Sequence, residues 1–266
     1  MLKKLLRLMI GIILFTSLVG CSRHEGKHMV VVGTIAGPET QLMQTAKQVA
    51  KQKYDLDVKI VTFSDYNTPN AALASGDLDA NAFQDLPFLQ AQVKARGYKI
   101  VAVGNTFLYP MGLYSKKIKS LDALNKGAKI AIPNDPSNEA RALTLLQKAG
   151  LIKLKPNAGV NATPQAIVSN PKQLQFVELD AAQLPRALND VAVAAINTNY
   201  AIPAGLSPAK DALFHESKDS IYMNIIAAQA KDKAEPKITD LVKAYQSPEV
   251  AAKAKQLFGS AAIKGW

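Results

Sequence analysis

The sequence predicts an α/β protein made of two lobes around a cleft, and three observations carry that prediction. From Met29 onward, short β-rich runs alternate with amphipathic helices. The alternation falls into two arrays, with a crossing around Tyr109–Ser115 and a return somewhere after Asn197. The 266 residues, 48% hydrophobic and 20% charged, suit one substantial core or two modest ones. Strands alternating with helices imply parallel βαβ units with right-handed crossovers. Open sheets of this kind bind ligands in the crevice at the strand C-termini.

Taken in order, Val30–Thr34 is a compact buried strand that runs through Gly37-Pro38 into a helix with Leu42, Ala46, Val49 and Ala50 on one face. Val58–Phe63 is the next strand. Asp79–Phe83 and Ile100–Val103 follow, separated by a helix that carries Phe88, Leu89 and Val93 and ends at Gly97. The second array begins after Lys119-Ser120-Leu121, with a strand at Lys129–Ile132 that is stopped by Pro133. A helix with Ala142, Leu143 and Leu146 on one face then ends at Gly150. Phe176–Leu179 and Val191–Ile196 supply further strands, and Ile221–Ala228 is strand-like. Ile238, Leu241, Val242 and Tyr245 mark a later helix, and Val250–Phe258 the last one. No fixed repeat is visible, which excludes a solenoid.

The N-terminus has the form of an export signal. Lys3, Lys4 and Arg7 precede an almost wholly apolar run, Leu8–Val19, that is shorter than the roughly 20 residues a membrane helix needs. It ends in Leu18-Val19-Gly20-Cys21, which looks like a bacterial lipobox, and Cys21 is the expected acylation site. As the only cysteine it permits no intrachain disulfide. Residues 1–20 are thus read as a lipoprotein signal peptide and 21–28 as a flexible tether. Lobe 1 is expected to span residues 29–112 plus about 202–266, and lobe 2 about 113–201. Without the leader the chain has 29 basic and 21 acidic residues, a net charge of +8. The lysines are scattered, with no arginine-rich stripe, which argues against nucleic acid and suits a solvated surface beside anionic lipid.

Catalytic groupings are scarce. The sequence has no HExxH, P-loop, GxSxG elbow or GxGxxG after a strand. His24 and His28 fall in the tether, so a metal site is not expected. His215, in Phe214-His215-Glu216, is expected on a surface loop. Binding without chemistry is what remains, with no cofactor.

Several segments then become specific. Phe63-Ser64-Asp65-Tyr66-Asn67-Thr68-Pro69-Asn70, Gly76–Gln84, Val103-Gly104-Asn105-Thr106-Phe107, Ile132–Asn138 and the ending Lys264-Gly265-Trp266 resemble the NlpA/MetQ family of methionine-binding lipoproteins, in order and over nearly the whole mature chain. The resemblance implies a type II-like periplasmic-binding-protein fold, two hinged lobes closing on a solute, and service to an ABC importer permease. It further implies a monomer on the cell envelope, lipid-anchored and facing the periplasm or cell exterior, with L-methionine or a close analogue as ligand.

The residues make sense for such a ligand, since each charge of a desolvated zwitterion needs a partner. Arg141, expected in the first turn of the helix after Pro136, can hold a carboxylate through two parallel N–H bonds. The resemblance implies ligand contacts at Asn138, Asn197 and Asn224, and Asn81 falls at a similar strand end. Tyr66, Phe83 and Phe88 would wall a thioether, whose sulfur packs well against aromatic rings. The sequence departs from the family at Asp85 and Phe88, where His and Tyr are usual, and at Glu139-Ala140, where Leu-Gly is common. Asp85 can cap the helix entered at Pro87 or pair with a ligand ammonium. Another amino acid or a Met-containing dipeptide is therefore an alternative ligand, and a surface lipoprotein for adhesion or partner contact is an alternative class.

Overall fold

The computed structural model describes residues 28–266, so Cys21 and most of the tether lie outside the described residues. The chain opens with β1 (Met29–Ile35), α1 (Pro38–Tyr54), β2 (Asp57–Phe63), α2 (Pro69–Ser75), β3 (Ala80–Asp85), α3 (Leu86–Arg96) and β4 (Ile100–Leu108). It crosses to β5 (Gly112–Tyr114), β6 (Lys129–Pro133), α4 (Pro136–Lys148), a small ribbon of β7 (Lys153–Leu154) and β8 (Ile167–Ser169), then β9 (Gln175–Leu179), β10 (Val193–Ile196) and β11 (Phe214–His215). It returns with β12 (Met223–Gln229), α5 (Pro236–Tyr245), α6 (Pro248–Phe258) and β13 (Ile263–Lys264). The first sheet has the order β13-β4-β12-β3-β1-β2 and the second β11-β5-β10-β6-β9.

The interior strand β1 pairs in parallel with both β2 and β3, which explains its near-continuous apolar run. Gly33 fits this crowded position because a Cβ there would lie 2.6 Å from the Leu78 side chain. Helix α1 starts at Pro38, where a missing N–H costs nothing, and buries Leu42, Met43, Ala46, Val49 and Ala50. These residues join Ile238, Leu241 and Val250 of α5 and α6 in the first core. A second core forms around Leu113, Ile130, Leu143 and Leu146. A third apolar cluster straddles the lobes, joining Tyr66, Phe83 and Phe88 to Tyr114, Leu184, Leu188 and Ile196.

One expectation needs correction. The sheets are mixed: β12 lies antiparallel between β3 and β4, and β5 antiparallel to β10. β12 enters from the other lobe, and the direction of such a returning strand is set by long-range topology that local periodicity does not encode. After Ile202, which packs against the first core, β11 pairs with β5 of the second sheet. His215 is accordingly an exposed residue of an edge strand, with Nδ1 2.7 Å from the Glu216 carbonyl oxygen.

Candidate functional site

Between the sheets lies a narrow cleft lined by Tyr66, Phe83, Gln84, Asp85, Phe88, Tyr109, Asn138, Arg141, Asn197, Thr198, Asn199 and Asn224. The first crossing segment contributes Tyr109 to this lining, and the second supplies Glu216 and Tyr222, which touch Arg141. Tyr109 stands where the chain leaves β4, and the second crossing runs from Glu216 to Tyr222.

Arg141 is the electrostatic centre, only 3% exposed on α4. Its Nε and Nη2 donate to Glu216 at 3.0 and 2.5 Å, Nη2 also to the Tyr109 carbonyl at 2.8 Å, and Nη1 to Asp85 at 3.3 Å. The Tyr222 ring covers its Cζ at 4.4 Å. The parallel pair of N–H bonds expected for a ligand carboxylate therefore goes to Glu216 of the same chain. One Nη1 N–H of the five guanidinium donors has no such commitment. Burial pulls the Arg141 pKa down, but Glu216 and Asp85 more than offset it, so the guanidinium stays charged.

Asp85 ends β3 and caps α3, its Oδ1 accepting from the Phe88 N–H at 2.8 Å, while Oδ2 takes Arg141. Burial raises its pKa to about 6 against the opposing pull of Arg141 and of the Phe88 N–H. The capping role is thus present, together with an ion pair that sequence reading did not anticipate. With both acids ionised, the Asp85–Arg141–Glu216 group carries one net negative charge.

The asparagines are organised by one another. Asp135 caps α4 through the Asn138 N–H at 2.9 Å and also holds the Asn138 side-chain amide. Asn138 Oδ1 accepts from Asn197 Nδ2 at 2.7 Å, and Asn224 Nδ2 donates to Glu39 at 3.3 Å. Asn197 Oδ1, Asn199 Nδ2 and the Tyr109 hydroxyl are buried with no hydrogen-bond partner among the described residues. Orphaned polar atoms gathered around one cleft are the mark of a site built to receive a polar ligand. Glu39, 4% exposed, has its pKa raised to about 8 by burial, against the Asn224 hydrogen bond.

Tyr66, Phe83 and Phe88 form an aromatic wall with ring centroids 5.9–6.0 Å apart. Tyr66 also bridges the lobes, its hydroxyl donating to Asn199 at 2.6 Å, while the Tyr200 hydroxyl donates to the Ser64 carbonyl at 3.2 Å. With Arg141 reaching Asp85, these bonds hold the lobes closed.

The structure brings together Tyr66, Phe83, Asp85, Phe88, Asn138, Arg141, Asn197 and Asn224. Asn81 is not among them. It is fully buried in an amide network with Asn70 and Gln84, at 2.9 Å from each, so its polar groups serve the fold. Glu139 is buried in the first turn of α4 outside the cleft lining, with a pKa raised to about 7 by burial and then by Glu178 and Asp135. Sequence reading missed Gln84, Tyr109, Thr198, Asn199, Glu216 and Tyr222. Asn199 had a signal, the polar run Asn197-Thr198-Asn199-Tyr200 directly after a fully buried strand. Glu216 had none, since it lies 75 residues from Arg141. No group of three or more metal-ligating side chains exists among the described residues.

Two α/β lobes, crossed twice by the chain and closed on a cleft of orphaned polar atoms and aromatic rings, define a substrate-binding protein of the periplasmic-binding-protein fold. Within that class the chain belongs to the NlpA lipoprotein family, whose model matches residues 30–266. It is 53% identical to the D-methionine-binding lipoprotein MetQ of Escherichia coli K12 over 253 residues, covering 94% of this chain and 93% of the relative. Among solved structures it is similar to a nutrient binding protein from Burkholderia cenocepacia bound to methionine, at 56% identity and a TM-score of 0.88, covering 89% of this chain and all of that one. A periplasmic substrate-binding protein of an ABC transporter from Coxiella burnetii is 63% identical with a TM-score of 0.87, over 89% of this chain and all of that one.

Proposed function

We propose that this protein captures methionine in the closed cleft and delivers it to an ABC importer, working as a monomer anchored to the cell envelope through acylated Cys21. The observation that carries the reading is the pairing of a polar end and an aromatic wall in one cleft. A carboxylate finds donors in Arg141 Nη1 and Asn199 Nδ2. An ammonium finds acceptors in Asp85 and Asn197 Oδ1. A thioether finds Tyr66, Phe83 and Phe88, where sulfur–ring contacts contribute about 0.3–1.5 kcal/mol each. The similarity to a structure holding methionine supports the same assignment. The protein then binds and releases its ligand unchanged.

Calorimetry with L-methionine, on protein unfolded and refolded to strip carried ligand, is expected to give a one-to-one site. Absence of both binding heat and thermal shift would sink methionine as the ligand. A second reading, another amino acid or a Met-containing dipeptide, is favoured by the negative charge that Asp85 adds to the cleft. Native mass spectrometry of the purified protein separates the two by the mass it carries. Intact mass of membrane-extracted protein checks the anchor, which Cys21→Ser is expected to abolish.

A further inference from the structure

We propose that Glu39 is a positioning residue for the ligand site: it holds the Asn224 amide with its carbonyl oxygen toward the cleft, where that oxygen and Asp85 together accept an ammonium group. The proposal rests on the capture of an amino-acid zwitterion proposed above and specifies how its ammonium end is recognised.

Four observations carry it. The Asn224 Nδ2 donates to Glu39 Oε1 at 3.3 Å. A side-chain amide has its donor and its acceptor on opposite corners, so fixing the nitrogen on Glu39 turns the oxygen to the other side, and Asn224 lines the cleft. Asn224 and Asp85 are direct partners in the antiparallel β12–β3 pair, and directly opposed residues present their side chains on the same face. Asp85 gives one oxygen to the Phe88 N–H and the other to Arg141 at 3.3 Å, which leaves acceptor capacity on that second oxygen.

Glu39 itself lies buried in the first turn of α1, and its Oε2 has no partner among the described residues. A buried carboxyl with so little hydrogen bonding opposes folding, and a leucine of similar volume would suit the core better. What the carboxyl does in this structure is hold the Asn224 amide.

The test is a double-mutant cycle read by calorimetry on refolded, ligand-free protein with a panel of amino acids that includes L-methionine. Glu39→Leu is expected to weaken binding at least about tenfold, the effect of losing one oriented hydrogen bond to a charged group. Glu39→Gln keeps an acceptor for Asn224 and is expected to stay within about threefold of wild type. In an Asn224→Ala background the Glu39→Leu effect is expected to shrink below about threefold, because no amide remains to orient. Equal weakening by Glu39→Leu in both backgrounds would assign Glu39 to general packing and overturn the proposal. So would wild-type affinity in Glu39→Leu. Should Glu39→Leu lack the far-ultraviolet circular dichroism of the fold, Glu39→Ala replaces it in the cycle with the same readings. Wild-type protein that binds no amino acid would overturn the functional reading and this proposal with it, whereas wild-type binding with an additive cycle overturns only this proposal.

Discussion

Replacing Glu39 by glutamine removes one ionisable group from the core while keeping its shape, and its effect on stability can be worked out from the structure. The carboxyl is 4% exposed, with one hydrogen bond from Asn224, and burial lifts its pKa from 4.5 to about 8. A folded-state pKa above the unfolded value means that the native state keeps a proton which the unfolded chain releases. That contribution to stability is complete below pH 4.5 and is lost as pH rises through about 8. Each pKa unit corresponds to about 1.4 kcal/mol, so the full loss is roughly 5 kcal/mol, and about 2–5 kcal/mol once relaxation and water entry are allowed for. Glutamine mimics the neutral acid. Urea unfolding of ligand-free protein should therefore give equal stabilities near pH 4.5 and a growing advantage for Glu39→Gln, reaching about 2–5 kcal/mol at pH 8.5. Asp85 and Glu139 titrate in both proteins and cancel in the difference. A gap that stays constant with pH, or a variant less stable than wild type at pH 8.5, would refute the reasoning.

Other perturbations give separate readings. Arg141→Leu leaves Asp85 and Glu216 buried without their cation and is expected to cost about 3–5 kcal/mol in urea unfolding; unchanged stability would contradict the ion-pair cluster. Asp85→Asn keeps the α3 cap, since Asn caps as well as Asp. It should weaken amino-acid binding at pH 7.5 but little at pH 5, where Asp85, with a pKa of about 6, is mostly protonated. A calorimetric affinity equally reduced at both pH values would argue against ammonium pairing. Tyr66→Phe deletes the 2.6 Å bond to Asn199 that bridges the lobes and is expected to speed ligand release about fivefold by stopped-flow, the effect of about 1 kcal/mol; an unaltered release rate would show that this bond does not hold the closed form.

The long elements were legible because their apolar residues recur at the spacing of a helix face. α1, α4, α5 and α6 follow this pattern, with prolines at their starts, whereas α3, which buries only Phe88 and Leu89, was marked by Pro87 at its start and Gly97 at its end. α2 escaped notice because seven residues inside Asn67–Ser75 look like a loop, and β5, β11 and β13 are too short to show a period. In the site, residue type pointed to Arg141, Asp85 and the aromatic wall, but not to what Arg141 would hold. Its bidentate partner, Glu216, is brought beside it only by the pairing of β11 with β5. Asn81 and Asn224 are the same residue type at comparable strand ends, yet one faces an amide network and the other the cleft. Which of the two binds is decided by sheet register, a long-range property. Nothing in the sequence marks Glu39, whose side-chain partner Asn224 lies 185 residues away.

The apolar cluster shared by the two lobes ties ligand capture to temperature. Tyr66, Phe83 and Phe88 are at once the wall offered to the ligand and the surface on which Leu184, Leu188 and Ile196 close. Binding that shuts the lobes removes both the ligand's apolar surface and this protein surface from water. The heat-capacity change on binding should therefore be more negative than the ligand's own buried area accounts for. Release in turn demands that oily surface be wetted again, a task an importer docking on the open form can share.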